Sequence, residues 1–394
     1  MIKYIAFIAS IILIYLTQPY IVWFNPIAIR TILCIVLGVL FFIYRKKSFI
    51  AKESLLFFVY LAAVILHGLV SGNNINYLIS TLPIVFIPFA SESFFNIVYL
   101  FFSKIYAAII AVSLTVYFIA LLGLIHPFAV IPPLNELKLL PYDVYPFLVN
   151  MSSTPLMRFF GPYDEPGVVG TLSGILLCIE RFDFKKWRSV IFLVSGLCSL
   201  SLFFYIIVAF NYLIKSSLIN KKFQNVVLAA VLLGVFAFVV QNNSVLYELI
   251  GRRFEWDSEK MSLAGDNRVH NQDAVDYYIA SGIDNGDIWF GVQDKNKYLS
   301  YVEGSSTIWN SVIIYGVVFV LWYIMFYLMY AYKHIKNRVS YFLFMFVFFG
   351  VLYQRPSMMT FLYEFIYIML AKGGMDTKEE LVEINRNRLK KYSL

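Results

Sequence analysis

The chain has 394 residues, of which 60% are hydrophobic and only 14% charged. A soluble domain carries roughly 25% charged residues, so this composition excludes an ordinary soluble domain and fits an integral membrane protein. The net charge of +8 then reads as an orientation signal rather than a nucleic-acid footprint, and the three cysteines, all inside apolar runs, build neither a disulfide framework nor a zinc site.

A helix needs roughly 20 apolar residues to cross a bilayer. In chain order, the first apolar runs predict spans near 2–23, 27–44, 53–70, 75–90 and 105–125. Thr17-Gln18-Pro19 offers no small-residue cleavage pattern, so the first span is expected to be retained. Pro83 and Pro88 should break or kink the fourth. The run 94–102 is either interfacial or an extension of the fifth. Residues 126–164 follow, too rich in proline for one helix, and are expected to lie extended across the membrane surface. Further spans are expected near 165–180, 188–201, 202–217 and 223–240. The stretch 188–217 is either one long helix or a hairpin turning at Ser199-Leu200-Ser201. A long charged loop occupies 241–305, where Asn267–Ala280 reads as a short helix. Spans near 306–332, 339–353 and 357–371 lead to a solvated or surface-lying tail, 372–394.

Charge orients these twelve spans. With the amino terminus inside, 22 of the 32 basic residues fall on the inner side. Eight of the other ten belong to the loops 126–164 and 241–305, where orientation does not call for them. Both termini are therefore expected in the cytoplasm, with the two long loops outside. Guanidinium forks bind phosphate oxygens in pairs, so Arg158, Arg252, Arg253 and Arg268 point to a lipid-phosphate ligand. Arg355, between the last two spans, is a further candidate contact.

The densest motif is Arg158-Phe-Phe-Gly161-Pro-Tyr163-Asp164-Glu165-Pro166-Gly167-Val-Val-Gly170. Its glycines let backbone approach a bulky ligand, and Pro166 suits a first helical turn. Asp164 and Glu165 then meet the positive end of the helix dipole, either as caps paired with Arg158 or with Glu165 as a general base. The second motif is Gly265-Asp-Asn-Arg268-Val-His270, in which His270 is a surface residue or a proton-transfer group. Tyr163, Tyr277, Trp289 and neighbouring outer-loop aromatics suit sugar stacking or an interfacial belt. Glu364, near the middle of the last expected span, should be protonated or paired, with an ion pathway as the other reading. His67 and Asn211 read as interhelical hydrogen-bonding residues. The chain shows no nucleotide-binding glycine loop and no Asp-x-Asp pair, which disfavours a metal-dependent nucleotide-sugar transferase.

On these residues the chain resembles the O-antigen polymerase and ligase superfamily, the Wzy-type polymerases most closely. The features that carry the resemblance are Arg158…Gly161…Glu165-Pro166-Gly167, then Arg268 upstream of Phe290-Gly291, then Ser306-Thr-Ile-Trp309-Asn310 leading into Tyr315-Gly316-Val317, and the hydropathy plan. Motifs cover 150 to 330; the remainder matches by topology. The resemblance implies an all-α polytopic fold like a GT-C-type glycosyltransferase, in a bacterial inner membrane with its active site at the outer face. It also implies an undecaprenyl-diphosphate-linked oligosaccharide as donor and acceptor, with Arg158 and Arg268 gripping the diphosphate, Tyr163, Asp164, Tyr277 and Trp289 near glycan, and Glu165 or His270 as base. No metal or cofactor is implied; membrane lipids and a chain-length regulator are candidate partners. Two positions depart from the pattern: ligases carry a histidine where this chain has Trp309, and eleven rather than ten residues separate Arg158 from Gly170. The rival readings are a ligase, which Trp309 disfavours, and a lipid-oligosaccharide flippase or transporter, which would place charge at the midplane.

Overall fold

The computed structural model describes residues 2–45, 51–70, 81–132, 140–152, 158–214, 251–258, 272–292, 308–354 and 358–374, together with 234, 238, 240–244, 247 and 262–263. These residues are mostly helical. The helices are α1 (Ile2–Leu16), α2 (Ile27–Ile43), α3 (Ala51–Val70), α4 (Glu92–Leu121), α5 (Pro166–Ile179), α6 (Trp187–Cys198) and α7 (Leu202–Ile214). After these come α8 (Gln272–Asn285), α9 (Asp287–Phe290), α10 (Ile308–His334), α11 (Arg338–Gln354) and α12 (Phe361–Met369). Among the described residues two stretches, Glu92–Leu121 and Asn310–His334, are long and apolar enough to cross a membrane. Large apolar side chains are exposed along other helices as well, among them Ile8 and Ile11 on α1 and Ile32, Val39 and Ile43 on α2.

Sequence chemistry explains most element boundaries. Helix α1 stops at Leu16 because Gln18 takes a left-handed backbone (φ 59°) and Pro19 follows; a 3₁₀ turn, Tyr20–Val22, replaces the expected end of the span. Pro83 and Pro88 hold Leu82–Phe89 as a 3₁₀ segment rather than an α-helical span. Helix α4 starts thirteen residues before the expected span at 105, since the Ser91 hydroxyl accepts the Phe94 amide and no breaker intervenes. The 94–102 run is thus an extension, and Lys104 lies on an exposed face well inside a 30-residue helix rather than at its inner end. The stretch 188–217 is a hairpin: α6 and α7 turn through Ser199–Ser201, where Leu200 has φ 49°.

Packing relies on small residues where backbones approach closely. Ala6, Ala9 and Ser10 line the buried face of α1, and the Ser10 hydroxyl donates to the Val98 carbonyl of α4. Gly196 of α6 sits where a Cβ would collide with the Phe204 ring of α7. Aromatic stacking closes other seams, as with Phe210 on α7 and Phe346 on α11, 3.9 Å between centroids.

The segment 126–164 departs furthest from expectation. Instead of lying extended, it folds into an antiparallel meander, β1 (Ala129–Ile131), β2 (Tyr142–Tyr145) and β3 (Leu148–Met151). Tyr142 pairs with Met151 and Tyr145 with Leu148 around the turn Pro146-Phe147, where Phe147 has φ 58°. Tyr142, Val144 and Val149 pack with Trp23 and Phe160 into a small second core. A two-stranded ribbon, β4 (Trp256–Asp257) with β5 (Ser262–Leu263), adds to the sheet content, so the fold is helical with two small sheets rather than all-α. In the second loop a helix runs Gln272–Asn285, past the expected end at Ala280; residues 267–271 lie outside the described residues. Residues 375–394 and most of the expected span 223–240 lie outside the described residues.

The contacts define two ends of the bundle. The meander, the ends of α1 and α4, the start of α5 and the α6–α7 turn share one end. Antiparallel packing of α7 on α11, and of α3 on α10, places the end of α11 and the start of α10 there too, whereas Phe361 at the start of α12 packs on Phe41 near the carboxyl end of α2. The α5–α6 connection and the Tyr44–Ser91 contact mark the opposite end.

Candidate functional site

The Arg158–Gly170 motif is the hub of the meander end. The Phe159 amide donates to the Cys198 carbonyl (2.9 Å), and Arg158 Nε donates to the Ser199 carbonyl (3.3 Å). Both bonds fasten the segment to the α6–α7 turn. Gly161, with φ 59°, reverses the chain, and its carbonyl accepts the Val149 amide of β3. The Pro162 carbonyl accepts the Tyr20 amide. Tyr163 is buried with its hydroxyl 2.9 Å from Thr17 Oγ1, and the Tyr142 hydroxyl donates to the Asp164 carbonyl. Glu165 then takes an extended backbone at the N-cap and Pro166 occupies the first helical turn, as the sequence predicted. Gly170 lets α5 press against Ser199 and Ser201, which any Cβ would prevent.

This arrangement holds a half-buried guanidinium close in sequence to two carboxylates at a helix start. The positive end of the α5 dipole favours negative charge at Asp164 and Glu165. The Glu165 side chain makes no capping bond to the helix, so its carboxylate is not committed to that task. Burial pushes the Tyr163 phenol above its ordinary value, which keeps it a neutral hydrogen-bonding hydroxyl. At Tyr145, burial and then the neighbouring Asp143 carboxylate act in the same direction.

The other expected site residues are distributed differently. Arg252 is exposed on a 3₁₀ turn, Gly251–Phe254, that also contains Arg253. Arg268, His270 and Arg355 lie outside the described residues, as does the side chain of Tyr277 on α8. Trp289 is 49% exposed and Trp256 66% exposed, whereas Tyr142 and Tyr163 are buried as structural pins.

A second junction joins two motifs that the sequence kept apart. Gly316 (φ 76°) breaks α10, and Gly291 (φ 84°) ends α9 directly against that break. A Cβ on Gly316 would overlap the Trp289 carbonyl, and one on Gly291 would overlap the Ile314 carbonyl. The Val292 amide donates to the Ile313 carbonyl at 2.7 Å, satisfying a backbone acceptor at the break. Buried His67 packs on Phe319 (4.4 Å) and Tyr315 (5.8 Å), within reach of the Tyr315 and Phe290 backbone. Phe290-Gly291 and Tyr315-Gly316 therefore act as one structural unit.

Glu364 lies in the first turn of α12, which begins at Phe361, and it accepts a hydrogen bond from Tyr323 near the middle of the Asn310–His334 stretch. At the opposite end the structure reveals a carboxylate that sequence reasoning passed over. Glu180 is 2% exposed and caps the carboxyl end of α5. Arg188 grips both its oxygens (2.6 and 3.0 Å), while Lys186 (2.9 Å) and the Tyr99 hydroxyl (3.0 Å) complete the cage. In the sequence those basic residues read as orientation signals. A buried-looking Glu followed within eight residues by Lys and Arg was the available clue. Among the described residues no group of His, Cys, Asp and Glu is arranged to hold a metal ion.

Comparison of the chain with protein-family models, curated proteins and solved structures returns no match.

Proposed function

We propose that this chain is a polytopic membrane glycosyltransferase, a polysaccharide polymerase. It would transfer a growing glycan from a polyprenyl diphosphate onto a new lipid-linked repeat unit. In this reading about twelve spans cross the bilayer, and the meander end of the bundle faces outward. The apolar side chains exposed along α1, α2 and α10 suit hydrocarbon better than water. The observation that carries the reading is the placement of Arg158. It is anchored to the α6–α7 turn beside the start of α5, in the motif that ends with Asp164 and Glu165.

The chemistry follows from those positions. Arg158, with Arg268 from the second loop, neutralises the diphosphate as it leaves, a role that a divalent ion fills elsewhere. Glu165 or His270 takes the proton of the acceptor hydroxyl, whose oxygen attacks the anomeric carbon. Exposed Trp256 and Trp289 offer ring faces to the glycan. The contact between Phe290-Gly291 and Tyr315-Gly316 supports the reading too, because it ties the arginine-bearing loop to a membrane helix.

Chromosomal Arg158→Lys and Arg158→Ala variants test the proposal through the length distribution of surface polysaccharide. Both should cut polymerisation by about 10²–10³-fold, as expected for loss of one positioned donor, since lysine lacks the planar fork. Full chain lengths in Arg158→Ala, with protein present in the membrane, would sink it.

One observation favours a second reading, a transporter of lipid-linked oligosaccharide. Transporters place discontinuous helices at their substrate sites, and α10 is discontinuous at Gly316. Movement of a fluorescent lipid-linked sugar across proteoliposomes, with no change in glycan length, would decide for transport.

A further inference from the structure

One buried acid belongs to none of the chemistry above. Glu364 has no exposed surface. Its Oε1 accepts the Tyr323 hydroxyl of α10 at 2.6 Å, while Oε2 has no hydrogen-bond partner among the described residues. The Met359 amide also bonds to the carboxyl group. The titratable groups facing it are Tyr315 and Tyr323 from α10 and Tyr367 on its own helix. Among the described residues no Lys, Arg or His forms an ion pair with it.

An ionised carboxylate in that apolar setting would be uncompensated, whereas a protonated one is neutral and turns an unmet acceptor into a donor. A purely structural acid normally closes its hydrogen bonds. Here both Glu364 Oε2 and the Tyr367 hydroxyl stay open among the described residues. The position matters as much as the burial. Glu364 is in the first turn of α12, and its partner Tyr323 lies about midway along the Asn310–His334 stretch of α10. The Tyr315 hydroxyl above it donates to the Met358 carbonyl, and Tyr315 is the residue before the α10 break.

We propose that Glu364 is a proton-binding site inside the bundle, between α12 and α10. It stands apart from the arginine-bearing loops and needs none of their chemistry. Loss of the proton would place a charge between α12 and α10, the helix whose break at Gly316 holds α9. The charge state of Glu364 is therefore in mechanical contact with the second loop.

The test is infrared difference spectroscopy of the full chain in phospholipid vesicles, wild type against Glu364→Gln. At neutral pH the wild type should show the C=O stretch of a protonated acid that Glu364→Gln lacks. That band should vanish reversibly as the pH rises. Tyr323→Phe should shift its frequency, because the acid loses a hydrogen bond. If the Gln variant does not fold, Glu364→Asp, which keeps an acid in place, should shift the band rather than remove it. Three results would overturn the proposal: no such band at neutral pH, a band that survives up to the pH of unfolding, or a band removed by sodium ions at constant pH. The first means a paired carboxylate, the second a locked structural acid, the third a cation site.

Discussion

Arg188 is the side chain whose removal should reveal most about this fold. It gives two hydrogen bonds to a carboxylate that water barely reaches. Truncating one partner of a buried pair leaves the other uncompensated, at a cost of about 3–5 kcal/mol. Arg188→Ala should fall at the low end, about 3 kcal/mol, because Lys186 and Tyr99 still hold Glu180. Adding Glu180→Gln to that variant should restore much of the loss by removing the stranded charge. Thermal unfolding in detergent, as a double-mutant cycle, measures both. Equal midpoints for the wild type and Arg188→Ala would show that the cage contributes little. The cage also shows what single residues disclose in a sequence. Arg158, Gly161, Glu165 and Pro166 were legible because their order implies a turn entering a helix, and the structure has that turn. Glu180 was not, because its partners looked like a topological signal and only the α5–α6 hairpin brings them together.

Elements were legible where a local signal decides them. Pro83 and Pro88 hold Leu82–Phe89 as a 3₁₀ segment, and the Ser199–Ser201 turn splits two helices. Tertiary pairing decided the rest. The meander depends on β2 finding β1 and β3, and on Tyr142 and Val149 meeting Trp23 from a distant turn. No window of sequence contains that information. The break in α10 is intermediate: Gly316 permits it, but Gly291 explains it. Gly316→Ala should force the two backbones apart, since the new methyl meets the Trp289 carbonyl in a left-handed conformation that alanine disfavours. Limited proteolysis should then cut faster within Gln272–Val292, and Gly291→Ala should behave alike. Gly286→Ala is the control, because Gly286 also has a positive φ but open space around it. It should cost about 1 kcal/mol of strain without speeding cleavage. Identical cleavage rates in all three variants would mean that the glycine contact does not hold α9 in place.

At the scale of the whole molecule, the arginine chemistry needs the meander end of the bundle to face out of the cell. The contacts put Phe128 and Gly286 toward that end, on segments tied to the meander and to α9, and put Asp183 in the Glu180 cage at the other. Lys186 and Arg188 at the cage agree with an inner location, because cytoplasmic connections collect basic residues. The proposal is therefore open to a direct measurement with single cysteines at 128, 183 and 286, in a chain whose Cys34, Cys178 and Cys198 are changed to serine. A membrane-impermeant maleimide applied to intact cells should label 128 and 286 and leave 183 unmodified until the membrane is permeabilised. Labelling of 183 from outside would invert the bundle and place Arg158 in the cytosol, where a lipid diphosphate at the outer leaflet is out of reach. Labelling of 128 and 183 from the same side would remove the transbilayer threading itself, and the helices would then have to bury their apolar faces against another protein.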